Sequence, residues 1–278
     1  MLPLRSPFDA YRAGLWAAGR NFDIVFVAAV LIALFDPART GSWGLFGEIR
    51  PSPPGVGALV RFVVDVLVPS ALTFALHATF LSDGRRTGFM AVHDFGALCL
   101  VGLRWIVITV FAFALAVIIA SMPLWIGGDG LPFLMVTGAT VGDGASALEL
   151  EPGPGFGVLA VLSLGLWVIL LGLRIPEIVD GGTAPGWARN MRRGVQQSRR
   201  MAASLAAGPG LLIAAYHALW WVLVPAEAGM SDAALDPVAL AGSLGDALIF
   251  VYAMAMTSAV LANGYRHALA EETAAAAQ

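Results

Sequence analysis

Read along its length, the chain alternates between long apolar runs and short segments rich in Gly, Pro and charge. A helix needs about 20 mostly apolar residues to cross the hydrocarbon core of a bilayer. Runs of that kind fall at roughly 20–36, 56–80, 97–123, 156–175, 203–224 and 238–262. They predict an all-α, polytopic membrane bundle of six transmembrane helices. The first run is the shortest: only Ile24–Phe35 is strictly apolar, so the span needs Trp16–Phe22 to reach full length. Amphipathic aromatics mark the ends, as expected at headgroup level. Trp125, Trp220 and Trp221 fall at outer ends, and Trp105 and Trp187 toward the inner face. Leu124–Gly155, the longest outer connection, shows no periodicity, and its stretch Leu131–Val136 is apolar enough to lie against the membrane.

Three short amphipathic segments each precede a pair of spans: FDAYRAGLWAAGR from Phe8, GFMAVHDFGALC around Phe89, and GWARNMRRGVQQSRR around Trp187. This predicts one helical hairpin used three times, with units at roughly 8–88, 89–186 and 187–266, interfacial helices on the cytoplasmic side, and a frayed tail over 267–278. Two spans end alike, at Asp83-Gly84 and Asp180-Gly181. Glycine suits the left-handed conformation that closes a helix. The chain 1–278 thus reads as one integral membrane domain.

Charge orients the bundle. All 16 basic residues are Arg. Arg5, Arg12, Arg20, Arg85, Arg86, Arg174, Arg189, Arg192, Arg193, Arg199, Arg200 and Arg266 fall in alternate connections, and only Arg39 and Arg50 in the others. Arginine is retained on the cytoplasmic side, so both ends are expected there, in a bacterial-type inner membrane. Composition agrees. The chain is 58% hydrophobic and 13% charged, against about 25% charged in a soluble domain. Nothing basic is interleaved with base-stacking aromatics, so no nucleic-acid partner is expected. Cys99 is the single cysteine and reads as a small buried hydrophobe. The first apolar run lacks a plain basic leader and reads as an uncleaved span. With no lysine there is neither P-loop nor Schiff-base chemistry, and no cofactor or metal is expected.

The six-span plan, the Asp-Gly turn and the Arg-rich segment after the fourth span resemble the membrane domain attached to some glycerophosphoryl diester phosphodiesterases, and the related YciC-like integral membrane proteins. That resemblance implies a membrane bundle. The phosphodiesterase barrel has no counterpart here, so its activity does not carry over.

Pro185–Arg200 is the strongest local signal. On a helix, Trp187, Met191 and Val195 form one apolar stripe, while Arg189, Arg192, Arg193, Arg199 and Arg200 cover the rest. This pattern predicts an interfacial helix that binds anionic headgroups or a partner, such as another membrane protein complex. The same region begins like the CDP-alcohol phosphotransferase motif D-x-x-D-G-x-x-A-R, at Glu177-x-x-Asp180-Gly181-x-x-Ala184. Pro185 then replaces the Arg, and the later positions carry Ser198 and Ala202 in place of aspartates. Within spans, Arg61 and Asp65 lie four apart and Asp246 enters from the same side, predicting an intramembrane polar cluster. Pro69 is expected to kink the second span. On the inner side, Arg104 is expected to snorkel to headgroups and His77 to make a core hydrogen bond. Small residues on spans five and six, including Gly208, Ala255 and Ala259, predict close helix approach. The leading expectation is a non-catalytic accessory or scaffold protein. The rivals are a small transporter or channel built on Arg61, Asp65 and Asp246, and a lipid-headgroup enzyme using Glu177 and Asp180.

Overall fold

A computed structural model describes residues 4, 6, 8–34, 63–125, 135–142, 145–152, 156–181, 187–223 and 237–278. These are helical apart from one two-stranded ribbon. The first helices are α1 (Asp9–Arg20) and α2 (Phe22–Leu34). A π-wound turn, Val63–Leu67, leads into α3 (Val68–Leu81), and α4 covers Phe95–Trp125. Then come α5 (Phe156–Leu171), the short α6 (Arg174–Val179) and α7 (Trp187–Leu205). A second π-wound turn, Ala206–Gly210, joins α7 to α8 (Leu211–Leu223), and α9 covers Pro237–Ala276.

Among the described residues, two helices are able by length and composition to cross a membrane: Phe95–Ser121 within α4 and Ala241–Ala276 within α9. A third crossing exists if α1 and α2 count as one span, but they meet at 96°. Val68–Leu81 and Leu159–Leu171 are apolar but shorter. This corrects the first span: Trp16–Arg20 belong to α1, not to a continuous helix with Ile24–Leu34. The break is at Asn21, whose buried amide donates to the Ala17 carbonyl at 2.7 Å and reaches Thr79 Oγ1 at 2.9 Å. Its carbonyl oxygen accepts the Gly88 N–H. Asn21 therefore ends α1 and ties the bend to the end of α3. In the second span, the kink expected from Pro69 appears as the π-wound turn just before α3, with Pro69 in the first turn, where no N–H is needed.

Helix α3 is buried from Leu72 to Phe80 and forms the centre of the bundle. Around it pack α1, α2, α4, α6 and α9. Helix α1 turns its small face to α9: Ala10, Ala13 and Ala17 are buried, and Tyr252 donates to the Tyr11 carbonyl at 2.8 Å. Tyr11 in turn donates to the Gly208 carbonyl at 3.0 Å. The small residues of the sixth span behave as expected, with Ala255 and Ala259 fully buried. Helix α4 begins at Asp94, which accepts the Ala97 N–H at 2.9 Å as an N-cap.

Several expectations are overturned. The segment around Phe89 forms only a 3₁₀ turn, Gly88–Ala91, not an amphipathic helix. Between α4 and α5, where the sequence shows no periodicity, β1 (Met135–Gly142) pairs antiparallel with β2 (Ala145–Pro152), Met135 facing Pro152. β-branched residues such as Val136, Thr137, Thr140 and Val141 favour that ribbon. Ala203–Leu205 belong to α7, not to the fifth span. The expected tail is helical through Ala276. Cys99 is exposed on α4. The two Asp-Gly turns do behave as expected, with Gly84 at φ +83° and Gly181 at φ +78°.

Candidate functional site

The C-terminal ends of α5 and α9 meet α7 in a layer of charge. Helix α6 is one short turn after Gly172 and Leu173, and it sets Arg174 against Glu177 at 2.8 Å. Helix α7 crosses the end of α5 so closely that a Cβ on Gly194 would sit 2.6 Å from the Ile169 and Leu170 carbonyl oxygens. Only glycine admits that approach. Helix α9 is 40 residues long, or about 60 Å, twice the roughly 30 Å hydrocarbon core. Its last turns carry Glu271 and Glu272.

Arg193 occupies the middle of this layer. Its side chain is 2% exposed. It donates from Nη1 to Glu177 Oε1 at 3.0 Å, and from Nε and Nη2 to the two oxygens of Glu272, both at 2.7 Å. This fork on Glu272 is the bidentate geometry in which arginine binds carboxylate best. Glu272 raises the Arg193 pKa above its ordinary value by accepting these bonds; burial opposes the effect and Glu177 adds to it. Arg193 in turn holds the Glu272 carboxyl below the usual carboxylate range, against partial burial. One turn along α7, Gln197 donates to Glu271 at 2.9 Å. One turn back, Asn190 donates to the Leu171 carbonyl at 3.2 Å. Arg193 is thus removed from the expected lipid-facing set.

A helix turns about 100° per residue, and α7 uses all of its circumference. Its buried stripe is polar: Asn190, Arg193, Gly194, Gln197, then Met201. The apolar stripe points outward instead, with Trp187, Met191 and Val195 at 52%, 38% and 57% exposed. The remaining arc carries Arg189, Arg192, Arg199 and Arg200, all exposed. Arg189 approaches Glu272 only to 3.8 Å.

Arg104 does not snorkel outward. Its Nε and Nη2 both donate to the Leu171 carbonyl, at 3.2 and 3.1 Å, and its guanidinium lies 4.6 Å from the centre of the Trp187 ring. It therefore caps α5 and seats the start of α7. His77 makes the expected core bond, its Nδ1 lying 2.8 Å from the Thr73 carbonyl. Of the intramembrane cluster, Arg61 and the Asp65 side chain lie outside the described residues, and Asp246 is half-buried on α9. Glu177 and Asp180 are both engaged, Glu177 by two arginines and Asp180 as acceptor of the Tyr265 hydroxyl at 3.2 Å. Among the described residues no group of three or more His, Cys, Asp or Glu gathers where it would hold a metal ion.

The sequence reading missed two adjacent residues on α9. Tyr265 reaches Asp180, and Arg266 donates to the Phe80 and Leu81 carbonyls at 3.0 and 3.1 Å and to Asp83 at 3.3 Å. The two Asp-Gly turns are thereby pinned to one point on α9. The only signal for this was a Tyr-Arg pair just past the last apolar run.

No protein-family model, curated protein or solved structure matches the chain.

Proposed function

We propose that the chain is a six-span protein of a bacterial-type inner membrane, with both ends cytoplasmic. In this reading it is a non-catalytic accessory or scaffold protein whose inner arginine face gathers anionic lipid headgroups, and it shares the plan of the membrane domain it resembles. The observation that carries the reading is the three-way division of α7. An exposed apolar stripe beside an exposed arginine arc is the pattern of a helix lying in the headgroup plane. Four outward arginines near an anionic leaflet contribute about 1 kcal/mol each. Glu272 makes its closest bonds to Arg193, Glu177 is held by Arg174 and Arg193, and of the four outward arginines only Arg189 approaches a carboxylate, Glu272 at 3.8 Å, among the described ion pairs.

The test is lipid retention by the purified full chain in mild detergent, read by native mass spectrometry. Reversing charge at Arg189, Arg192, Arg199 and Arg200 should strip phosphatidylglycerol and leave phosphatidylcholine retention unchanged. Equal phosphatidylglycerol retention by a folded quadruple variant overturns the reading, and capture of a stoichiometric protein partner through the same arginines would replace lipid with protein as the occupant.

A further inference from the structure

At the Arg199–Arg200 end of the arginine arc, between α7, α9 and the N-terminal segment, lies a cleft of about 570 Å³. One wall carries Arg199, Arg200 and Ser204 from α7, and the other Asn263 and His267 from α9. Its floor is apolar, with Leu4, Met201 and Val260. No carboxylate lines it among the described residues. The nearby acids are already engaged: Glu271 accepts from Gln197 at 2.9 Å, and Asp9 accepts the Ser6 N–H at 2.8 Å. The cleft is therefore cationic at its rim, rich in neutral donors on its walls and greasy at its base.

We propose that this cleft seats the phosphate-bearing headgroup of one anionic phospholipid. Arg199 and Arg200 would meet the phosphate, for which the guanidinium fork is suited. Ser204 and Asn263 would donate to its ester oxygens or to headgroup hydroxyls, and the apolar floor would take the start of an acyl chain. The volume falls in the range of ordinary small-molecule sites, about 300–1,000 Å³. The proposal rests on the lipid reading above and makes it specific: one lipid in a defined seat at Arg199 and Arg200, distinct from diffuse attraction to Arg189 and Arg192.

The experiment titrates the purified full chain in mild detergent with phosphatidylglycerol, phosphatidylcholine or inorganic phosphate, again by native mass spectrometry. The wild type should hold a first phosphatidylglycerol at least about tenfold more tightly than phosphatidylcholine. Ser204→Trp fills the cleft and should abolish that first site. Asn263→Asp is isosteric, leaves packing intact and should weaken it by about tenfold through added negative charge. Arg189→Glu with Arg192→Glu lies outside the cleft; it should lower the number of weakly held lipids and spare the first. If Asn263→Asp and a folded Ser204→Trp both keep the first site within about twofold, the seat is wrong even where the arc variants lose lipid. Inorganic phosphate displacing phosphatidylglycerol at equal affinity would assign the cleft to a free phosphate and overturn the lipid proposal.

Discussion

Helices α1 and α7 are both amphipathic, and they dock by opposite chemistry. Helix α1 turns Ala10, Ala13, Gly14 and Ala17 inward. It is held by close backbone approach, where a Cβ on Gly14 would lie 2.8 Å from Met256 Cγ. Helix α7 turns Asn190, Arg193, Gly194 and Gln197 inward and leaves its apolar stripe outside. A small-residue face fits many neighbours equally well. A buried arginine with two named carboxylates fits one position, and a misplaced α7 would strand those charges away from water.

The largest effect should come from breaking the specific dock. Arg193→Ala leaves Glu177 buried with Arg174 alone, and removing one partner of a buried ion pair costs about 3–5 kcal/mol. Thermal unfolding in detergent checks this, and a loss under about 1 kcal/mol would mean that the buried cluster does little to hold α7. Gly14→Val tests the other helix. Overpacking costs about 1–3 kcal/mol, and the Tyr252 ring at 3.1 Å and the Met256 backbone nitrogen at 3.3 Å put the loss at the upper end.

Acidification should separate the two helices further. Glu272 is depressed in the folded state, so its contribution is present at neutral pH and is lost as pH falls through its folded pKa. Hydrogen exchange, corrected for its intrinsic pH dependence, should rise in α7 and the end of α9 only as pH falls below the ordinary glutamate value of about 4.3, with α1 unchanged. Arg193→Met should remove the pH response of α7, and equal rises in both helices would contradict the comparison. The smallest effect is expected at the neighbouring outward residue: Arg192→Ala should change stability by less than about 0.5 kcal/mol while lowering anionic-lipid retention.

What the sequence made legible follows from what each signal measures. Unbroken apolar length located α4 and α9, because the cost of burying polar groups in lipid depends on local composition alone. The same signal ran straight through Asn21, because the bend there depends on Thr79 and Gly88, far along the chain. Helical spacing found both stripes of α7, yet the usual rule of polar side outward misplaced Arg193. Its deciding partner is Glu272, 79 residues away. Glu271 and Glu272 lay in what read as a frayed tail, so nothing local marked them as anchors. Arg104 was misread for a similar reason: snorkelling assumes water or headgroups as the nearest acceptor, and the Leu171 carbonyl is nearer. The Asp-Gly turns were readable because left-handed glycine is a local demand, whereas their attachment to Tyr265 and Arg266 is not.

In the function proposed here, α7 lies in the headgroup plane with its polar stripe inward, its apolar stripe to lipid and its arginines to water. Single spin labels from position 189 to 200, in a Cys99→Ser background, test this directly. Oxygen accessibility should peak at 191 and 195, a water-soluble relaxant should peak at 192 and 199, and both should be lowest at 190 and 197. High access of the water-soluble relaxant at 190 and 197, or at 191 and 195 to the same degree as at 192, would show that α7 does not lie in the headgroup plane with its polar stripe buried.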